Sequence, residues 1–219
     1  MGVPEWTRAN PSKMLQAYRR ADEAWTLAVQ GYQATEDCPI SCAPGCNDCC
    51  TAEKKNTAWG AKGFVEMTFT PAEAVVLFNA LRGLPKHIQE KVVYWNQRLW
   101  LGRGCQGGAY KKCPLLCQDG KCLVHHARPV VCRTYGLPVM MYQKVVDREF
   151  LYSLGCPKNP VKSPLPTSPH EKAYDESTGP EWALHWIRAV KELIQIRDED
   201  DLEHGTAVDL SAVIGSLKR

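Results

Sequence analysis

The feature that most constrains this chain is a dense cysteine array, Cys42-x3-Cys46-x2-Cys49-Cys50. Four thiols within nine residues can surround one metal ion or cluster at little cost in loop-closure entropy, whereas most cysteines this close in sequence would form strained disulfides. A second patterned stretch carries five more cysteines: Cys113, Cys117, Cys122, Cys132 and Cys156. The spacing therefore predicts thiolate ligation of a metal rather than a disulfide framework.

Length and composition are those of a globular protein that needs no disulfides. The chain has 219 residues, of which 44% are hydrophobic, and an odd number of cysteines, 11. Its N-terminus lacks the charged and then apolar layout of a secretory signal, and Trp6 stands where a myristoylation motif has Ser or Thr. No apolar stretch approaches the roughly 18 residues of a membrane span. We therefore expect a cytoplasmic protein without membrane association.

The formal charge of +3 treats every thiol as neutral. Two four-thiolate sites, each holding a divalent ion or a cluster core of the same charge, would lower that charge by about four units, because metal ligation requires thiolates. The basic pairs Lys54-Lys55 and Lys111-Lys112 are short and typical of solvated loops. We expect no nucleic-acid partner.

Start signals and helical periodicity predict a first helix over residues 11–34. Asn10 stands as an N-cap before Pro11, and apolar residues then recur at helical spacing. This stripe, which we expect to face the core, comprises Met14, Tyr18, Ala21, Trp25 and Ala28.

A strand followed at once by a helix is predicted between residues 65 and 83. Val65, Met67 and Phe69 alternate with polar residues, as in a half-buried strand. Thr70-Pro71-Ala72-Glu73 is a capping box with proline at the first helical position, and Gly83 marks the end of the helix.

Two further helices are predicted. The first covers residues 85–101, with an expected packing face of Ile88, Val92, Trp95 and Leu99. The second begins at the capping box Thr178-Gly179-Pro180-Glu181 and has a stripe of Trp182, Trp186, Ala189 and Leu193. We expect the acidic run 198–203 to end it and residues 207–217 to form at most a weakly attached tail.

Two short hairpins are also predicted. A two-residue loop at Asp119-Gly120 would place Cys117 opposite Cys122, with β-carbons roughly 5 Å apart. That separation suits two ligands of one metal, and the alternative is that Cys117 is a small buried filler. Residues 139–146 have strand-like composition, and Asp147-Arg148 would turn them back into Phe150-Leu151-Tyr152.

These elements predict an α+β fold, mainly helical, with short β-hairpins around a cysteine-ligated metal centre. Residues 1–36 would form an N-terminal helical segment, and residues 37–160 a cysteine-cluster metal-binding domain. Residues 161–219 would form a proline-rich connector and a C-terminal helix packing on the same core.

An ordered series of sequence blocks carries a family resemblance. The blocks are Cys42-x3-Cys46-x2-Cys49-Cys50, Val65–Glu73, Cys113-Pro114-Leu115-Leu116, Asp119-Gly120-Lys121-Cys122 and Arg128-Pro129-Val130-Val131-Cys132-Arg133. This series resembles the bacterial CxxCxxCC family of zinc- or iron-chelating proteins, which includes the flagellin lysine N-methylases. The resemblance covers residues 38–160, and this chain differs by a third residue between its first two array cysteines and by the extra Cys117.

The resemblance implies eight ligand positions: Cys42, Cys46, Cys49, Cys50, Cys113, Cys122, Cys132 and Cys156. Eight thiolates make two complete sets of four ligands. Adjacent Cys49 and Cys50 either serve two neighbouring sites, since their side chains diverge, or one ligates while the other is buried. Cys38, Cys105 and Cys117 would then be spare, reactive or structural.

Thiolate sites suit both zinc and iron–sulfur clusters. The packed array and the Cys-Pro steps at Cys113 and Cys156 favour an iron–sulfur cluster, of the 4Fe–4S type, with zinc as the alternative. Arg128 and Arg133 are candidate cofactor-binding residues, which would hydrogen-bond cluster sulfurs or offset the negative charge of the site. His125 and His126 offer imidazole ligands, although adjacent histidines near a hairpin are more often surface or packing residues.

Three functions fit this pattern. The first is an iron–sulfur protein acting in electron transfer or in cluster-dependent catalysis, with a protein or redox partner. The second is a zinc-stabilised, non-enzymatic interaction module that docks a partner through its tryptophan-bearing terminal helices. The third, suggested by the resemblance, is S-adenosylmethionine-dependent protein N-methylation.

Sequence motifs do not decide whether the protein is an enzyme. Gly102-x-Gly104-x2-Gly107 has the letters of a dinucleotide-binding motif, but it follows a helix rather than a strand, so we expect a flexible loop. It is nevertheless the glycine-rich candidate for binding S-adenosylmethionine. No Ser-His-Asp set or carboxylate pair indicates hydrolysis, and metal-bound thiolates would be poor nucleophiles.

Overall fold

Helices dominate the part of the chain that the structure describes. The structure, a computed structural model, describes residues 4–36, 68–101, 113–134, 136–137, 140–145, 148–153, 179–204 and 207–218. The helices are α1 (Ser12–Glu36), α2 (Pro71–Arg82), α3 (Lys86–Leu101), α4 (Val130–Thr134), α5 (Glu181–His204) and α6 (Leu210–Gly215). The strands are β1 (Thr68–Phe69), β2 (Met140–Val145), β3 (Arg148–Ser153) and β4 (Val208–Asp209). The expected mainly helical character is confirmed.

The chain divides into two compact units. The first unit contains residues 1–16, 44–130 and 195–219, and the second unit contains residues 17–43 and 131–194. Residues that are distant in sequence therefore come together within each unit. The residues predicted as a metal-binding domain, 37–160, contribute to both units.

In the first unit, α2 begins at the predicted capping box. The Thr70 hydroxyl accepts a hydrogen bond from the Glu73 N–H at 3.4 Å, and the Thr70 N–H donates to Glu73 Oε2 at 3.1 Å. Pro71 occupies the first turn, where a missing N–H costs nothing, and Gly83 caps the other end. Local sequence signals thus set both ends of this helix.

The C-terminal residues belong to the core of the first unit. β4 pairs antiparallel with β1, so that Thr68 lies opposite Asp209 and Phe69 opposite Val208. Asp209 then caps α6 by accepting a hydrogen bond from the Ala212 N–H at 2.6 Å. The prediction of a weakly attached tail over 207–217 was wrong, because Val213 and Ile214 are completely buried. Val65 and Met67 of the predicted strand lie outside the described residues.

The packing face of α3 differs from the predicted one. Val92 is buried as expected, but Trp95 is 50% exposed, and the polar Asn96 is buried instead. Asn96 donates a hydrogen bond to Ser211 Oγ at 3.2 Å, which satisfies part of its buried amide. A hydrophobic pattern cannot reveal such a pair, because its acceptor is 115 residues away in sequence.

The core of the second unit is rich in aromatic residues contributed by α1 and α5. Trp25 meets Trp186 edge to face at 5.1 Å, and Tyr32 meets Trp182 edge to face at 5.5 Å. Gly31 permits this packing, because a β-carbon there would lie 2.3 Å from the Trp182 β-carbon. The predicted stripes of both helices are largely buried, which removes Trp182 and Trp186 from any exposed docking surface.

The second unit also contains the predicted β2–β3 hairpin. The antiparallel register runs from Met140 opposite Ser153 to Val145 opposite Arg148. Arg148 is thus a strand residue, and its predicted place in the turn was wrong. Two strands alone are marginally stable in water.

The acidic run was predicted to end the last long helix, but α5 continues through it to His204. Asp200 from this run accepts a hydrogen bond from the Ala72 N–H at 2.9 Å, within the first unit. A carboxylate at the N-terminus of α2 satisfies an otherwise unpaired N–H and complements the helix dipole. This hydrogen bond stabilises the helical conformation of the acidic run 198–203, whose sequence is typical of a solvent-exposed segment. Among the helices of the described residues, none is both long and apolar enough to cross a membrane.

Candidate metal centre

The structure describes part of the predicted ligand set. Three of the eight predicted ligands lie among the described residues: Cys113, Cys122 and Cys132. Outside the described residues lie the other predicted ligands and two of the spare thiols: Cys42, Cys46, Cys49, Cys50, Cys156, Cys38 and Cys105. The glycine motif beginning at Gly102 and the capping residue Thr178 also lie outside them.

Cys113, Cys117 and Cys122 lie on one tight hairpin of the first unit. The Cys117 N–H donates to the Lys121 carbonyl at 2.8 Å, and the Leu123 N–H donates to the Leu115 carbonyl at 2.9 Å. The Gly120 N–H closes the turn by donating to the Cys117 carbonyl at 3.2 Å. The segment is therefore ordered by its own backbone hydrogen bonds.

The register of this hairpin differs by one residue from the prediction. Leu116, not Cys117, pairs with Cys122. The reason is Gly120, whose positive φ of 80° extends the loop to three residues, Gln118 to Gly120, in the manner of a turn followed by a glycine bulge. A shift of one residue along a ladder moves a side chain to the opposite face. The expected facing pair of Cys117 and Cys122 was therefore wrong.

The thiols of this hairpin remain chemically suitable as ligands. Cys113, Cys117 and Cys122 are all half-buried, and no disulfide joins them to one another or to Cys132. Within the described ranges, no group of three or more His, Cys, Asp or Glu side chains converges in a way that could hold a metal ion. The described thiols thus offer soft donors, and a complete site would need further ligands.

The chain after the hairpin forms a short turn and then α4. Residues His125–Ala127 make one turn of 3₁₀ helix, in which both histidine side chains are exposed and Ala127 is buried. Arg128 ends this turn and is half-buried, with its N–H donating to the His125 carbonyl at 3.3 Å. The exposure of both histidines matches the expectation for surface residues.

Glu73 is a functional candidate that the sequence pattern indicated only as a helix cap. Its side chain is 2% exposed, and Oε1 accepts a hydrogen bond from the Val130 N–H at 2.7 Å. Its other oxygen, Oε2, accepts from the Thr70 N–H and lies 3.4 Å from Arg197 Nε. One buried carboxylate therefore joins the start of α2 to the backbone two residues before Cys132.

Arg133 is held within the second unit. Its side chain is buried, its Nη1 donates to Asp22 Oδ1, and its guanidinium lies 4.0 Å from the centre of the Tyr18 ring. The ion pair and the cation–π contact fix the residue that directly follows Cys132. These contacts offset the charge of Arg133 locally, and its predicted role toward a cofactor stays a prediction.

Comparisons with protein-family models, with curated proteins and with solved structures give no match for this chain. The functional argument therefore rests on the residues themselves.

Proposed function

We propose that this protein binds an iron–sulfur cluster, of the 4Fe–4S type, through its cysteine thiolates and acts in electron transfer or in cluster-dependent catalysis. The observation that carries the proposal is the patterned set of eight cysteines. Within the described residues, the buried Glu73 joins the block Val65–Glu73 to the block that contains Cys132. In a metal site, the backbone of the residues that coordinate the metal is held in place by surrounding contacts. Glu73 supplies such a contact just before Cys132.

The donor chemistry fits a soft metal. The described candidates Cys113, Cys122 and Cys132 are soft donors that are only half-buried, so an ion or cluster could reach them. Together with Cys42, Cys46, Cys49, Cys50 and Cys156 they would complete two sets of four thiolates. Thiolates that hold a cluster would persist in a reducing compartment, so we propose a cytoplasmic location together with the cluster.

Zinc is the alternative metal, and the protein would then be a non-enzymatic interaction module. Zinc would stabilise the cysteine-rich residues by replacing part of a hydrophobic core. Trp182 and Trp186 would take no part in partner binding under this alternative, because both are buried in the second unit. Protein N-methylation is a minor alternative that rests on the family resemblance.

The first experiment is metal analysis of protein purified without oxygen. We expect a brown protein with broad visible absorption, iron, and acid-labile sulfide in an amount that matches the iron. A colourless protein with stoichiometric zinc would replace the cluster by the zinc module. A protein with neither metal after purification from iron- and zinc-supplemented cells would refute metal binding.

A matched pair of variants on the hairpin tests the ligand assignment. Cys122→Ala removes a predicted ligand, whereas Cys117→Ala removes a thiol of the same half-buried class that we assign no ligand role. We expect Cys122→Ala to lose most of the bound metal and Cys117→Ala to retain it. The measurement is the number of metal ions per chain, and circular dichroism checks that both variants have the same helical content. Equal losses in both variants would contradict the assignment.

A further inference from the structure

An aromatic pair stands out on the solvent side of α3 in the first unit. Tyr94 is 49% exposed and Trp95 is 50% exposed, although both are large hydrophobic side chains. Their rings meet edge to face, with centroids 5.7 Å apart, and the guanidinium of Arg98 lies 5.2 Å from the centre of the Tyr94 ring. Tyrosine, tryptophan and arginine are the residue types that contribute most binding energy in protein interfaces.

A groove lies beside this pair, between α3 and the C-terminal turn Ser216–Lys218. It has a volume of about 250 Å³, and Tyr94 forms part of its wall. Val93 and Leu217 supply apolar surface, and Lys86 and Lys218 supply positive charge. We call this feature, together with Trp95 and Arg98, the α3 groove. Its volume accommodates one or two side chains of a partner rather than a whole cofactor.

The charge of the α3 groove indicates what would bind there. Lys86, Lys218 and Arg98 carry three positive charges, against one negative charge on Glu90. An apolar centre with a charged rim is the usual arrangement of a protein interface, and the rim charges select a partner of opposite sign.

We propose that the α3 groove docks an acidic segment of another protein that inserts an apolar side chain beside Tyr94. The proposal does not depend on the metal, since it concerns only α3 and the C-terminal turn. It adds an interaction surface to a protein whose terminal tryptophans Trp182 and Trp186 are unavailable for binding.

Two other occupants fit the observations less well. A single-stranded nucleic acid stacks successive bases on open ring faces, whereas the Tyr94 and Trp95 rings stand at 74° to each other and do not form such a platform. A second copy of this chain would bring like charges together across a two-fold axis, which opposes association.

The test is selection from a random peptide library displayed on phage, with the intact protein as the target. Clones that bind the Tyr94→Ala variant are removed beforehand, so that the surviving ligands are those that need Tyr94, which lines the groove. We expect the surviving sequences to share one apolar residue flanked by Asp or Glu. Either no surviving sequences or a shared basic motif would overturn the proposal.

The consensus peptide is then synthesised and its affinity measured by fluorescence anisotropy. We expect Tyr94→Ala and the double variant K86E/K218E each to weaken binding at least about tenfold, the effect typical of interface hot spots. Leu202→Ala is the matched control, because it truncates an 87% exposed residue elsewhere in the first unit and should leave binding unchanged. Equal losses for Leu202→Ala and Tyr94→Ala would contradict the assigned surface.

Two further measurements keep the alternatives separate. Binding of a labelled thymidine 15-mer that Trp95→Ala abolishes would assign the groove to nucleic acid and overturn the proposal. A concentration-dependent dimer that Trp95→Ala dissociates would assign the groove to a second copy of the chain, and would also overturn it. Circular dichroism of each variant should match the parent protein, because every substituted side chain lies at the surface.

Discussion

The two compact units differ in their most distinctive buried contacts. In the first unit, the buried Glu73 accepts hydrogen bonds from two separate backbone segments and contacts Arg197. In the second unit, α1 and α5 meet through tryptophan and tyrosine rings. A hydrogen-bonded carboxylate specifies which backbone groups meet. Aromatic packing instead stabilises the fold through the apolar area that it buries and the geometry of the ring pairs. The first arrangement would suit the ligand-holding role that we propose for this region.

The largest expected effect is on the aromatic packing of the second unit. Trp186→Ala should lower the free energy of unfolding by about 3–5 kcal/mol, because it removes a 1% exposed indole and leaves a cavity. Hydrogen exchange read out by mass spectrometry should show faster amide exchange in proteolytic peptides from residues 131–194. Trp186→Phe should cost less, since it keeps a ring and the indole N–H has no hydrogen-bond partner among the described residues. Equal costs for both variants would show that packing volume is not the main contribution.

The next largest effect should come from the carboxylate of the first unit. Glu73→Gln should cost about 2–3 kcal/mol despite its identical shape, because both oxygens accept from N–H groups and an amide can accept through only one. Chemical denaturation measures the cost. Glu203→Gln on the exposed part of α5 is the control and should change stability by less than about 0.5 kcal/mol. If the two substitutions proved equal, the Glu73 network would not stabilise the first unit.

The close approach of α1 and α5 provides a third test. Gly31→Ala should cost about 1–3 kcal/mol, although alanine favours helices, because its β-carbon would overlap Trp182. Gly215→Ala is a matched control, since a β-carbon there meets nothing within 4 Å. The measurement is the midpoint temperature of thermal unfolding of both variants. An unchanged or higher midpoint for Gly31→Ala would mean that α1 and α5 can move apart at little cost in stability.

The smallest effect should come from the cap of α2. Thr70→Ala should cost about 0.5–1 kcal/mol, at the low end for an N-cap, since the bond from the Glu73 N–H is long at 3.4 Å. Thr70→Ser keeps the hydroxyl and should restore most of that loss. Denaturant midpoints compare the two variants, and a serine variant as unstable as the alanine variant would show that the threonine methyl group matters more than the cap.

Local sequence signals predicted much of the secondary structure. Asn10 and Pro11 indicated the start of α1, and the capping box at Thr70 indicated the start of α2. The β2–β3 hairpin also follows from local composition. These predictions succeed because caps, proline geometry and hydrophobic period act within a few residues.

Several predictions were wrong because a distant residue decided the outcome. Asn96 replaced Trp95 on the packed face of α3 because Ser211 accepts its hydrogen bond. Residues 207–217 joined the first unit because β1 offers an edge to β4. The hairpin register changed for a local reason, since a glycine at positive φ admits both two- and three-residue loops in an Asp-Gly turn.

The sequence by itself determined the chemical character of this protein, which is a cysteine-rich chain with soft donors and helices whose ends are marked by caps. Only the tertiary structure decided which groups meet, such as Glu73 with the Val130 N–H 57 residues away and Ala72 with Asp200 128 residues away. The physical reason is that donor chemistry and backbone preference reside in single residues. A buried hydrogen bond or an exposed aromatic pair depends on the packing of segments that no local pattern brings together.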